Sequence, residues 1–120
     1  MSTINVSQAE GPVLDWLVAK IEGFTHFTDG ISWVIYVDGT YRQVPRYSAD
    51  WSQGGPIIER EWLHVESWQH APVEEYSWSC VQYDLPIPIC TLGPTPLIAA
   101  MRCFVVSKLG ETVEVPEELT

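Results

Sequence analysis

Basic residues are scarce in this chain: six Lys and Arg stand against sixteen Asp and Glu, a formal charge of −10. Sequence-independent binding to nucleic acid draws on cations that displace phosphate counterions. Six scattered cations supply too few, so direct nucleic-acid contact is not expected. The same deficit disfavours an anionic membrane surface, and the acidic excess reads first as a solubilising surface. Cysteine is scarce too. Cys80, Cys90 and Cys103 are odd in number and form no Cys-x-x-Cys pair, which argues for free thiols in a reducing compartment. The opening MSTINVSQAEG has neither the basic head nor the apolar run of an export signal. The longest apolar stretch, Pro96 to Leu109, is interrupted by Arg102 and Lys108 and would reach only about 21 Å as a helix. No membrane span is expected, and the expected location is cytoplasmic.

Motifs that announce chemistry are missing as well. His26, His64 and His70 fall in three separate segments, none with zinc-ligand spacing, so no metal and no cofactor are expected. Neither a nucleophile elbow, a phosphate-cradling loop nor a dinucleotide fingerprint occurs. Gly54-Gly55-Pro56 resembles half a phosphate loop but lacks the following Lys-Ser/Thr. Glu59 and Glu61 would face the same way on an extended segment, yet carboxylates are mostly solvated surface residues. The chain reads as a non-enzyme.

What is present is a foldable core: 120 residues, 46% of them hydrophobic, with six Trp, five Tyr and three Phe. That length suits one domain. Residues 1–10 lack periodicity and read as a flexible tail ahead of a single α+β domain over 11–120. A helix is predicted from Pro12 to Glu22, since Pro12 suits the first helical position and Gly23 the stop. Leu14, Leu17, Val18 and Ile21 share its inner face, and Asp15 sits in its first turn. The period then changes to two. Ile31 to Val37, Asp38-Gly39 and Thr40 to Val44 spell a hairpin, with Ile31, Trp33, Ile35 and Val37 on one face. Residues 46–56 read as a polar loop carrying Trp51, with Pro56 starting a short helical turn through Glu61. Strands are predicted at Trp62–Glu66 and Tyr76–Tyr83. Pro86 and Pro88 restrict Leu85–Cys90 to an edge or a connection. Thr95 caps a helix from Pro96 to Leu109 that Gly110 ends; apolar nearly all round, it must be covered on more than one side. Val113 and Val115 suit a short strand. The predicted fold is a short antiparallel sheet packed against the C-terminal helix, with the N-terminal helix flanking.

Two stretches, ADWSQGGPIIERE (Ala49 to Glu61) and GPTPLIAAMRCFVVSKLGETVEVPEEL (Gly93 to Leu119), resemble the NinX family of small phage and prophage proteins. GPVLDWLVAKIEG (Gly11 to Gly23) looks like that family's opening helix, in the same order. Residues 66 to 92 are least alike. The resemblance implies a phage or prophage origin and a bacterial host cytoplasm. It implies no activity and carries over no catalytic residues.

The candidate site is therefore read from the residues themselves. Trp51 lies in a polar stretch with little apolar covering, so it either plugs into the core or is a contact residue. Tyr47, Trp51, Gln53, Arg60 and Trp78 would make a pocket wall of flat faces and donors. Arg102, amid aliphatic neighbours on its helix, must snorkel outward or find a carboxylate, with Glu59 or Glu61 as candidates, or else it forms an anion clamp at a pocket floor. The binding residues expected are Trp51, Gln53, Arg60, Trp78 and Arg102, at the seam between the Trp51 segment and the last helix. The expected partner is a host or phage protein. The alternatives are a small metabolite or nucleotide ligand, or an acidic decoy for a nucleic-acid-binding protein. Spare aromatics on so small a domain also admit a homodimer.

Overall fold

The computed structural model describes residues 1–24, 26–28, 33–83 and 85–119, with the Phe27 side chain left aside. In chain order its elements are β1 (Ser2–Asn5), α1 (Gly11–Ile21), β2 (His26–Thr28), β3 (Trp33–Val37), β4 (Thr40–Gln43), α2 (Trp51–Glu61), β5 (His64–Ser67), β6 (Trp78–Gln82), β7 (Ile89–Gly93), α3 (Pro96–Leu109) and β8 (Thr112–Val115). The class is α+β, with the antiparallel strands divided among three small sheets ordered β1-β8, β2-β3-β4 and β5-β6-β7.

α3 is the hub. The Thr95 hydroxyl accepts from the Ile98 N–H at 3.1 Å, satisfying one of the first-turn donors that have no partner within the helix. Leu97 and every residue from Ala99 to Val105 are buried. A helix apolar on all sides needs cover on all sides, and α3 has it: β6 and β7 pack against it, as do α1 and α2. From α1, Leu14, Leu17 and Val18 enter the same core, and Trp16 joins them. Asp15 does not act as a first-turn charge. It is buried, and its carboxylate accepts from the Ser48 N–H at 2.8 Å, tying α1 to the chain that leads into α2.

The hairpin forms where the alternation places it. Tyr36 faces Tyr41 and Val37 faces Thr40, around Asp38 at φ 50° and Gly39 at φ 81°, the two positive angles that a tight turn between right-twisted strands requires. Ile35 is buried on its inner face; Ile31, assigned to that face from the sequence, lies outside the described residues. β7 is an edge strand, as the preceding prolines imply.

Residues 1–10 are not a tail. Ser2 pairs with Val115 and Ile4 with Val113, and Val6 follows with 0% exposure. Four alternating residues are too few to stand out in sequence, and the strand that satisfies them is supplied by the far end of the chain. A non-local pairing of this kind leaves no local pattern.

Candidate functional site

α2 is the element that sequence patterning misassigned most. Gly54, Gly55 and Pro56 are the poorest helix formers, and Pro56 inside the helix forgoes one backbone hydrogen bond. The helix forms because its ends and one face are held. The Asp50 carboxylate accepts from the Ser52 N–H at 2.9 Å and from its hydroxyl at 2.7 Å. Ile57 is buried, and Gly54 lies so near Leu97 of α3 that a Cβ there would stand 2.7 Å from Leu97 Cδ2, and would also strike the Tyr47 carbonyl oxygen. The Trp51 segment is thus packed against α3, as the sequence reading required, though as a helix rather than a loop.

An α-helix turns about 100° per residue, so side chains three and four apart line up. Trp51, Gly55 and Ile58 form one such line on α2, and Trp62, four residues further on, is its C-terminal cap. Trp51 is 56% exposed and Trp62 80% exposed. Trp62 stands at φ 56°, ψ 42° in the left-handed region, where a bulky residue is a true outlier. The Leu63 N–H then reaches the Ile58 carbonyl at 3.1 Å, closing the helix as a glycine cap usually does. Leu63 is buried while Trp62 is turned outward. Beside the cap lies an open depression of about 650 Å³ bordered by Ile58, Glu59, Arg60, Trp62, Leu63 and His64. The His64 ring meets Tyr83 edge-on at 5.8 Å, adding an exposed aromatic to the same end of the molecule.

Arg60 belongs to the framework. Its guanidinium donates to Glu22 Oε1 at 2.9 Å and to Glu61 Oε2 at 3.0 Å, lies 5.7 Å from the centre of the Phe104 ring, and shares Glu61 with Lys108 Nζ at 3.2 Å. Hydrogen bonds to Glu22 and Glu61 push the Arg60 pKa up. Burial opposes ionisation of Glu61, yet Arg60 and Lys108 together hold its carboxyl below the ordinary range. Glu59 and Glu61 do not share a face, because two helical residues are about 200° apart.

The remaining expected residues do not join Trp51. Gln53 and Arg60 fall about half a turn from Trp51 around α2. Tyr47 is core: burial, then Glu22 and Asp15, push its hydroxyl up to about 12. Trp78 is half-buried against the core and opposite Gly93 on β7. Arg102 finds no carboxylate within ion-pair distance among the described residues. Its Nε donates to the Ala9 carbonyl at 2.8 Å and its Nη1 to the Leu92 carbonyl at 2.9 Å. It also borders a second and larger groove, of about 1320 Å³, away from α2. Glu61, the partner proposed from sequence, is already taken by Arg60 and Lys108. Trp62, Ile58, His64 and Tyr83 were not anticipated; the one available signal was the eleven-residue interval from Trp51 to Trp62, close to three helical turns.

Among the described residues no group of three His, Cys, Asp or Glu converges as a metal site, and no helix is long and apolar enough to cross a membrane. Cys80 and Cys103 are buried and Cys90 is exposed, all three as free thiols.

The family model described as "Bacteriophage P22, NinX" matches residues 5–108. The chain belongs to the NinX family. No match emerges among curated proteins. Among solved structures, a phage protein from Bacillus cereus ATCC 14579 is similar, with 18% identity and a TM-score of 0.66 over 83% of this chain and 94% of that one. At that identity the likeness speaks for the fold alone. The match to the NinX model begins at the last residue of β1, takes in all of α2 and runs to the penultimate residue of α3, so the tryptophan helix falls within the family's extent.

Proposed function

We propose that this NinX-family protein is a non-enzymatic phage accessory factor that acts in the bacterial host cytoplasm by binding a host or phage protein through the outer stripe of α2. One observation carries the reading: two tryptophans are presented to solvent on one line of a helix whose other side is fixed to the core, and the second is held out by a strained backbone. Backbone strain that brings no burial to its own side chain is characteristic of contact and switch positions. Exposed tryptophan, with an apolar neighbour such as Ile58 and a rim of charge, is the composition of a protein-binding hot spot.

The test pairs Trp51→Ala and Trp62→Ala with affinity capture from infected cells, wild type and double variant side by side. A partner retained by the wild type is then purified and titrated by calorimetry. Each substitution is expected to weaken binding by about 2 kcal/mol, roughly thirtyfold, while the unfolding transition stays cooperative. Equal affinity of wild type and double variant for that partner would refute the reading. Light scattering of the free protein covers a second copy as occupant: self-association lost in the double variant would make the partner another molecule of this chain.

A further inference from the structure

The second groove lies apart from the α2 stripe and shares no lining residue with it. Its floor is Arg102 on α3, only 6% exposed. A guanidinium offers five N–H donors, and two of Arg102's are given to the Ala9 and Leu92 carbonyls. Those carbonyls fix the plane of the group, and no carboxylate among the described residues lies within ion-pair distance of it; a buried cation of this kind ordinarily sits against a carboxylate. Glu10 acts on Arg102 only through its field, and burial, the larger influence, depresses the Arg102 pKa. The remaining nitrogen, Nη2, makes no hydrogen bond among the described residues and is not among the buried atoms left without a partner, so it keeps some exposure, and Arg102 borders the groove.

The walls define what would fit. Val73, Tyr76, Ile87, Ile89 and Val106 supply apolar surface. Glu10, Glu75 and Glu111 also border the groove, and their negative charge disfavours a doubly charged phosphate more than a single carboxylate. The volume of about 1320 Å³ exceeds the range of roughly 300–1,000 Å³ usual for compact small-molecule pockets, so the occupant is an extended one. We propose that this groove binds a monocarboxylate carried on an apolar chain, the carboxylate against Arg102 and the chain along Ile87, Ile89 and Val106. Either a free aliphatic acid or the carboxy-terminus of an apolar peptide presents that chemistry.

The experiment is a titration of isotope-labelled full-length protein followed by NMR at the Arg102 Nε–H and the β7 amides. The probes are hexanoate, hexanamide, an acetylated Val-Ile-Val peptide with a free carboxy-terminus, its C-terminal amide, and inorganic phosphate. Saturable shifts at Arg102, Leu92 and Val106 with either carboxylate, absent with its amide and with phosphate, are the expected result. Hexanoate binding as tightly as the peptide identifies a free acid as the source, and binding by the peptide acid alone identifies a protein terminus. Glu10→Gln removes the exposed carboxylate nearest in effect to Arg102 and should tighten carboxylate binding by about two- to fivefold. Arg102→Lys should abolish it; because that variant also loosens the residue 1–9 segment, the Glu10→Gln shift is the discriminating readout. Binding of amide and acid alike, phosphate competing at equal strength, no saturable shift with any probe, or unchanged affinity in Glu10→Gln would each overturn the proposal.

Discussion

Replacing Trp62 by glycine and, separately, by alanine isolates the cost of turning that side chain outward. Both variants lose the ring, of which only a fifth is covered; that fifth is about 30–50 Å², or about 1 kcal/mol at 25 cal/mol per Å². They differ in the backbone. At φ 56° an alanine keeps the Cβ clash that a left-handed conformation imposes, about 1–2 kcal/mol, whereas glycine is free of it. Glycine in turn loses about 0.5–1 kcal/mol more chain entropy on folding. The glycine variant should therefore be more stable than the alanine variant by about 1 kcal/mol, near 4 °C in Tm for a domain of this size. Against the wild type, glycine's relief and the lost ring contact nearly cancel. Urea unfolding with thermal circular dichroism as a cross-check reads both values. Both variants should lose partner binding equally. An alanine variant as stable as the glycine variant would mean that the cap holds no strain, and the argument from outward-held tryptophan to contact surface would fail with it.

Gly54→Ala and Gly55→Ala should act in opposite directions although the residues are adjacent. At Gly54 the new methyl meets backbone and Leu97, costing about 1–3 kcal/mol by overpacking. At Gly55 it finds only the Trp51 ring at 3.8 Å and should stabilise the helix by about 0.5–1 kcal/mol; chemical denaturation separates the two. Removing residues 1–9 should destabilise by about 3 kcal/mol or more, since Val6 leaves a fully buried site, β8 loses its partner and Arg102 loses the Ala9 carbonyl; a truncated protein with an unchanged urea midpoint would restore the flexible-tail reading. Asp15 gives a pH test. Burial raises its pKa above the ordinary 3.8, more than the Ser48 hydrogen bonds and the Arg46 field lower it. The folded state then holds the proton more tightly than the unfolded state does. Its contribution is greatest at low pH and declines as pH rises from about 4 through the raised value. Asp15→Asn, whose amide oxygen can still accept from Ser48, should flatten that decline and be no less stable at pH 7; a steeper dependence, or a marked loss at pH 7, would contradict the assignment.

The parts of the fold legible in sequence are those whose signals are local. Thr95-Pro96 and Gly110 bracket α3 because a side-chain oxygen and a pre-set φ act on the residues beside them. Asp38-Gly39 marks its hairpin for the same reason. What stayed hidden depends on distant partners. β1 acquires its meaning from β8, Asp15 from Ser48, and the carbonyls that hold Arg102 come from residues 93 and 10 positions away. The first half of α2 reads as a loop because its local propensities oppose a helix; Ile57, the Asp50 cap and the close fit of Gly54 on Leu97 override them.

The candidate site follows from that same conflict. A sequence that ought not to be helical is made helical by contacts along one side, and those contacts absorb Gly54, Ile57, Arg60 and Glu61. The sequence places Arg60 facing a ligand, but its charge is already met by the carboxylates of Glu22 and Glu61, which it bridges in holding α2 in place. The large apolar side chains of this segment that remain mostly in solvent are Trp51 and Trp62. Tryptophan at the first residue of this helix and at its C-terminal cap adds nothing to helix propensity, and at the cap little to burial. On the binding function proposed above, its place there answers to what meets that face from outside, and so does the strained cap that points Trp62 away from the core.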